Sequence, residues 1–393
     1  MPNPNRPANL NIEEFLAQYW QQKPVLIKQA FPNFESLISA EELAGIACEQ
    51  GIESRLIIEK DGQHPWQLKN GPFSEQDFTS LPDTHWTLLV QDMEKHIPQL
   101  QEIVDAFHFI PDWRLDDLMI SYAPKHGSVG PHLDQYDVFL LQAEGLRRWQ
   151  IDSRPDRSDQ LINGIELGIL EQFDAEHEWI LEPGDMLYLP PGVAHHGVAM
   201  NDCMTYSIGF RSPSHMDLIN AYFDTLVERG DLHTQYTDPN IPAQQNAHEL
   251  TPHSLDRLRK VITEHLSLSD STINHTIGKI LSEGKPDFQA TAPNPVLDKT
   301  EFLNAWKQCS ILRRDSSIKF LFSTDIRVTH FFIDGFDLSF PLLDSRIAEQ
   351  VCNSMEISHA EFSASDAKIE LANVLYIFYQ HGFYYFDGES DQD

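Results

Sequence analysis

The stretch VGPHLDQYDVFLLQAEGLRRWQ, residues 129–150, sets His132 two residues before Asp134 at the head of what reads as a buried strand, an apolar run followed by two arginines. On an extended chain, side chains two apart point to the same face, so this imidazole and carboxylate can bind one metal ion together. They can equally be an ordinary hydrogen-bonded loop, which is what most isolated His-x-Asp pairs are. A third ligand has to come from elsewhere, and GDMLYLPPGVAHHG, residues 184–197, offers one. There an apolar run ends at the tight turn Pro190-Pro191-Gly192, and His195 opens the next strand. The spacing from Gly184 through Pro190 and Gly192 to His195 is rare by chance, and its presence beside the His-x-Asp pair favours a metal site. His196 competes with His195, but neighbours on a strand face opposite ways, so only one of them can serve. His126, in PKHGSVG, is a poorer rival because a glycine-rich loop fixes a ligand badly.

Two neutral imidazoles and one carboxylate on one side of an ion form the facial arrangement of non-haem Fe(II) oxygenases. Three positions then stay open, enough for a bidentate oxo acid and dioxygen. Catalytic zinc more often uses three histidines, or two with a glutamate. The next chemical signal is in LRRWQID, where alternation groups Arg147 with Trp149 and Ile151. That is the more apolar set, so it faces the interior. A buried guanidinium needs an anionic partner. Either an internal Asp or Glu supplies it, or a dicarboxylic cosubstrate does, through a fork-shaped contact to its distal carboxylate.

These residues need a β scaffold, and residues 117–212 have the composition of one. DLMISYA, DVFLLQ, RRWQID, MLYLPPG and MTYSIGF are short apolar runs separated by Gly, Pro and Asp, the pattern of a sandwich or barrel. Before them, IEEFLAQYWQQ is spaced as a helix, KPVLIKQAF and WTLLVQDME as strands, and HIPQLQEIVDAFHF as a helix. After Pro213 the period turns helical in HMDLINAYFDTLVERG, ELTPHSLDRLRKVITEHLS and STINHTIGKILSEG. A last unit, from about residue 290, places Asp334-Gly335 between apolar runs, a hairpin signal, and follows it with the helices RIAEQVCN and LANVLYIFYQHG.

The chain has 393 residues, of which 41% are hydrophobic, enough for more than one core. Four scattered cysteines, with no CxxC pair, argue against a zinc finger or a disulfide scaffold and fit a reducing compartment. No apolar stretch reaches the ~18 residues of a membrane span, and the N-terminus has no signal-peptide pattern. The expected location is the cytoplasm. A net charge of −32 repels nucleic-acid phosphate, so DNA is not an expected partner, while basic partners are attracted.

Taken together, the His132-x-Asp134…His195 pattern, the arginine fifteen positions after His132 and PGDMLYLPPGVAH resemble the JmjC, cupin-fold 2-oxoglutarate oxygenases. Within them, GPHLDQYDVFLLQ, LRRW, MLYLPPG, YSIGFRSP and the N-terminal FLAQYWQQKPVLIK are similar to the bacterial ribosomal oxygenases. The resemblance covers the whole chain. It implies an α+β protein: a double-stranded β-helix barrel at 99–213, with residues 1–98 as the N-terminal part of the catalytic domain. A helical dimerisation segment at 214–285 and a winged-helix-like domain at 286–393 would follow.

By the same resemblance, Fe(II) sits at His132, Asp134 and His195, Arg147 holds the distal carboxylate of 2-oxoglutarate, and Ser121 also touches that cosubstrate. Ser207, in TYSIGF, lies near the same pocket. The implied reaction uses dioxygen to hydroxylate a basic ribosomal protein, on the β-carbon of an arginine in large-subunit ribosomal protein sixteen, and the implied assembly is a homodimer. The acidic charge would then steer a cationic substrate, with Asp137 either a contact for it or an ordinary solvent-facing carboxylate. One departure stands out: the broader cupin pattern has Asn four residues after the last ligand, where this chain has Ala199. Three rival readings share parts of this evidence. A cupin enzyme of another reaction class would not need Arg147, a non-catalytic binding module would not need intact ligands, and a methyl-lysine demethylase would use the same iron chemistry.

Overall fold

The computed structural model describes residues 6–59, 66–155, 157–228, 230–241, 243, 248–266, 269–309, 311–325, 327–359 and 366–386. It divides between Ser212 and Pro213 into two compact units.

Among the described residues, the first unit contains the strands β1 Val25–Ile27, β2 Ser54–Glu59, β3 Trp66–Asn70, β4 Trp86–Val90, β5 Leu115–Ala123, β6 His132–Leu133, β7 Asp137–Glu144, β8 Arg147–Asp152, β9 His177–Leu181, β10 Met186–Leu189, β11 Ala194–Ala199 and β12 Cys203–Phe210. The α-helices α1 Ile12–Gln18, α2 Ala40–Ile46, α3 Glu75–Thr79, α4 Met93–His96 and α5 Gln101–Asp105 decorate it. The strands form an eight-stranded sheet, ordered β1-β10-β7-β12-β5-β4-β2-β3, and a four-stranded sheet, ordered β6-β11-β8-β9. This is the double-stranded β-helix of the cupin and JmjC fold, within an α+β chain, and β1 to β4 extend its larger sheet.

The central strands β7 and β12 of the larger sheet are buried on both faces, which is why they read as nearly unbroken apolar runs. In β7, Phe139 and Leu141 join the core that also takes in Phe15 of α1, Leu43 of α2 and Ile103 of α5. Val138 and Leu140, on the other face of the same strand, pack with Trp149, Ile151, Leu187 and Leu189 between the two sheets. Local signals start the helices. Ser39 and Glu42 close a reciprocal capping box on α2, and Asn11 accepts a hydrogen bond from the Glu14 N–H on α1.

Two local expectations are corrected. The helix read over HIPQLQEIVDAFHF is a 3-10 turn at Pro98–Leu100 and then the short α5, because proline starts a helix but cannot supply the N–H that would continue one back from it. His132 and Asp134 are not the head of the buried strand that follows them. His132 belongs to β6 in the smaller sheet, Asp134 lies just beyond it, and a bend at 135–136 carries the chain over to β7 in the larger sheet.

The second unit contains α6 His215–Glu228, α7 Pro252–Leu266, α8 Asp270–Ser282, α9 Lys299–Cys309, α10 Ser345–Asn353 and α11 Asp366–Gln380. Its strands are β13 Ile311–Arg314, β14 Phe320–Thr324, β15 Val328–Ile333, β16 Phe336–Pro341, β17 Glu356–Ser358 and β18 Tyr384–Phe386. They make two three-stranded sheets, β17-β13-β18 and β14-β15-β16. The expected hairpin joins β15 to β16, with Asp334 at φ 48° and Gly335 at φ 76°, the left-handed pair that a two-residue turn requires. Among the described residues, no helix is long and apolar enough to cross a membrane, and Cys48, Cys203, Cys309 and Cys352 form no disulfide.

Candidate metal centre

β6 and β11 are antiparallel neighbours in the smaller sheet, and their register sets His195 directly opposite His132. The two imidazole centroids are 4.2 Å apart. Asp134 reaches both: its Oδ2 lies 3.7 Å from His132 Nε2 and 3.5 Å from His195 Nε2. One ligand atom from each of the three residues falls within 4.8 Å of the other two. The LPPG turn helps to hold this geometry, since the Gly192 N–H donates to the Asp134 carbonyl at 2.7 Å.

The tautomers follow from the backbone. His132 Nδ1 is 2.9 Å from the Gly130 carbonyl, and His195 Nδ1 is 3.0 Å from the Val193 carbonyl. A carbonyl only accepts, so each Nδ1 carries the hydrogen and each Nε2 presents its lone pair toward Asp134. Burial pushes the pKa of His195 down to about 4, with the neighbouring His132 acting in the same direction and Asp134 opposing, so its imidazole is neutral near neutral pH. Gly130 sits at φ +82°, and a Cβ there would lie 2.8 Å from the Ile169 side chain, so glycine sets the carbonyl that orients His132. These two imidazoles and one carboxylate, pointed at one spot, can hold a divalent ion with a side left open.

The open side faces a cavity of roughly 280 Å³ between the two sheets. Arg147, Ser121 and Ser207 all line it. The alternation in β8 is as expected: Arg147, Trp149 and Ile151 are buried, while Arg148 and Gln150 are only partly so. The Arg147 guanidinium lies 5.8 Å from the Trp149 ring. Among the described residues, no protein acceptor reaches its Nε or Nη2, although the side chain is buried. The internal Asp or Glu that would have made Arg147 structural is therefore absent from the described residues. Ser121 Oγ donates weakly to the Thr205 carbonyl, at 3.4 Å.

The rival histidines face away. His196 lines a second cavity with His85 and His126. His126, at φ 68°, packs its ring 4.9 Å from that of His85. Burial, with Arg148 next in effect, brings the pKa of His196 down to about 4.

Asp137 is corrected. Far from meeting a substrate cation at the surface, it is fully buried. It accepts from Tyr188 Oη at 2.6 Å, from Gln21 Nε2 at 2.9 Å and from Arg114 Nη2 at 2.9 Å. Its partners tie the N-terminal segment to the barrel.

Among the cavity residues the sequence did not reveal, Thr87 stands out. Thr87 on β4 is buried, lines the cavity, and its Oγ1 has no partner among the described residues. The signal was present as the lone hydroxyl in the apolar run WTLLV.

The JmjC domain family matches residues 102–218, the stretch that carries all three metal-binding candidates. The Ribosomal protein uL16 3-hydroxylase of Escherichia coli is 36% identical over 312 residues, covering 79% of this chain and 82% of that protein. The chain belongs to the ribosomal oxygenase family of JmjC 2-oxoglutarate oxygenases. A Probable ribosomal oxygenase of Haemophilus influenzae is 33% identical over 276 residues, 67% of this chain and 66% of that one. The likeness extends to the fold. The solved ribosomal oxygenase YcfD from Escherichia coli, in complex with cobalt and 2-oxoglutarate, is 31% identical and aligns with a TM-score of 0.81 over 98% of this chain and 99% of that one.

Proposed function

We propose that this chain hydroxylates the β-carbon of an arginine in large-subunit ribosomal protein sixteen, using Fe(II), 2-oxoglutarate and dioxygen. The observation that carries the reading is the pairing of two features in one cavity: the converging His132, Asp134 and His195, and the buried cation of Arg147, whose Nε and Nη2 meet no acceptor among the described residues. The relatives support it. One is named for hydroxylation of the ribosomal protein uL16, and the solved relative has been seen with cobalt and 2-oxoglutarate and with cobalt and succinic acid.

In this reading His132, Asp134 and His195 hold the iron, and iron when bound supplies the redox chemistry that couples oxygen to cosubstrate decarboxylation and substrate hydroxylation. The protein's own part is geometric and electrostatic. The Gly130 and Val193 carbonyls keep both imidazoles in the ligating tautomer. Arg147 takes the distal carboxylate of 2-oxoglutarate, with Ser121, Ser207 and Thr87 as hydroxyl partners along the cavity wall. The apolar lining, Leu140, Trp149 and Ile169 among it, keeps bulk water away from the reacting carbon.

The net charge of −32 favours encounter with a basic ribosomal protein in the cytoplasm. Helix α6 leaves Met216, Ile219, Phe223 and Val227 exposed at helical spacing, and α7 leaves Leu255, Leu258 and Ile262 exposed. Such faces fit a helical interface between two copies of the chain, so the working form is a homodimer. Light scattering of the wild type against Phe223→Asp tests that assembly, with a shift to monomer expected.

The reaction is tested by incubating the chain with Fe(II), ascorbate, 2-oxoglutarate and a fragment of the ribosomal protein, then reading succinate release and peptide mass. One added oxygen on an arginine is the expected result. Succinate release with the oxygen on another residue would leave the chemistry and refute the target. Removal of methyl groups from methyl-lysine would favour the demethylase, and no turnover at all would refute the enzyme.

A further inference from the structure

A second set of metal-ligating side chains lies in the C-terminal unit. Helix α8 packs on the β14-β15-β16 sheet, and Gly278 is the reason it can come so close: a Cβ at that position would lie 2.4 Å from the Phe332 ring. One turn earlier on the same helix face, His275 is brought over the sheet. Its ring centroid is 4.5 Å from that of His330 on β15, with the planes 79° apart. Asp337 on β16 lies between them. Its Oδ2 meets His275 Nδ1, and its Oδ1 is 3.3 Å from His330 Nδ1. One ligand atom from each of the three residues lies within 4.8 Å of the other two.

The arrangement exceeds what an ion pair needs. Two imidazoles from different elements both aim Nδ1 at one carboxylate, where a single histidine would satisfy the pairing. A hydroxyl, Ser339 Oγ, stands 2.9 Å from His330 Nδ1. The Phe332 ring backs the site, 6.3 Å from His275 and 6.1 Å from His330. The side chains are partly covered, with exposures of 33%, 19% and 16% for His275, His330 and Asp337, which leaves an approach for an ion and a water. Imidazole-rich sets with one carboxylate suit zinc and its neighbours rather than calcium or magnesium, which take all-oxygen sites.

We propose that His275, His330 and Asp337 bind one divalent transition-metal ion, for which Zn²⁺ is the probe, and that it pins α8 to the β15–β16 hairpin. The site lies outside the barrel and takes no part in the oxygenase reading above. Metal bound only by the folded state raises its stability, so the ion acts as a structural clamp.

The test uses the full chain with His132→Ala and His195→Ala, so that the barrel cannot compete for metal. Stripped with a chelator and titrated with Zn²⁺ by calorimetry, it should take up one equivalent, and its unfolding midpoint should rise. Adding His275→Gln, or separately Asp337→Asn, should weaken zinc binding at least tenfold and abolish the rise. Circular dichroism checks that each variant folds. Should either fail to fold, anomalous scattering at the zinc edge from crystals of the barrel-disabled chain decides. A peak among the three residues is expected. No bound zinc, a peak elsewhere, or binding undiminished in both variants would overturn the proposal and leave the three residues as a hydrogen-bonded cluster.

Discussion

His132 and His195 face one another across two neighbouring antiparallel strands, and each donates its Nδ1–H to the backbone carbonyl two residues before it, Gly130 and Val193. The same local device is used twice, and it turns both Nε2 lone pairs toward Asp134. Since neutral imidazole with a free Nε2 is the metal-binding form, the backbone prepares the ligands before any ion arrives.

Removing one of these ligands should therefore abolish activity with little effect on the fold. For His132→Ala and His195→Ala we expect iron affinity to fall by more than the 10- to 100-fold typical of losing an outer hydrogen-bond partner. Turnover of 2-oxoglutarate should fall with it, while circular dichroism stays that of the wild type. Iron binding that survives in both variants would place the metal somewhere other than these residues.

Arg147 gives a prediction of two signs. A buried guanidinium whose Nε and Nη2 have no acceptor among the described residues opposes the fold of the cosubstrate-free protein. Arg147→Met should raise the thermal midpoint of that form. The same change removes the partner of the distal carboxylate, a loss on the order of 2–5 kcal/mol, so KM for 2-oxoglutarate should rise by at least about 30-fold. Added 2-oxoglutarate should stabilise the wild type and leave the variant unmoved. A variant with unchanged KM would remove Arg147 from the cosubstrate site.

These residues differ in how far the sequence reveals them. His195 is legible because the Pro190-Pro191-Gly192 turn fixes where the next strand begins, and Arg147 because alternation in β8 groups it with Trp149 and Ile151. Asp137 is not, because its partners Arg114 and Gln21 lie 23 and 116 residues upstream, and nothing local distinguishes a buried, paired aspartate from an exposed one. Thr87 is hidden for a related reason: the run WTLLV shows a strand, but only the pairing of β4 with β5 shows which of its faces meets the cavity. The chain's switch of sheets at 135–136 is invisible too, since it depends on which strands the two segments find as neighbours.

The reassignment of Asp137 carries its own test. Asp137→Ala would leave the Arg114 guanidinium buried without its carboxylate, and also strip a partner from Tyr188 and Gln21. Breaking one side of a buried pair costs about 3–5 kcal/mol. Denaturant unfolding should show a loss of that order, with KM for 2-oxoglutarate unchanged in whatever protein remains folded. A variant of normal stability that instead lost affinity for the ribosomal substrate would restore Asp137 to the surface role.

Glu94 on α4 is the residue most able to make stability depend on pH. It is buried, its Oε2 accepts from the Leu118 N–H at 2.8 Å, and burial raises its pKa from 4.5 to about 8, with Lys95 opposing. Between those two values the folded chain holds a proton that the unfolded chain has released. The stability this group contributes is full below about pH 4.5, declines as pH rises, and is gone near pH 8. The slope is at most about 1.4 kcal/mol per pH unit. Glu94→Gln keeps an acceptor for Leu118 and has no proton to lose, so its denaturant midpoint should fall less steeply than that of the wild type between pH 5.5 and 8, relative to their values at the acid end. Parallel curves for the two proteins would mean that Glu94 is already ionised inside the fold and that Lys95 outweighs its burial.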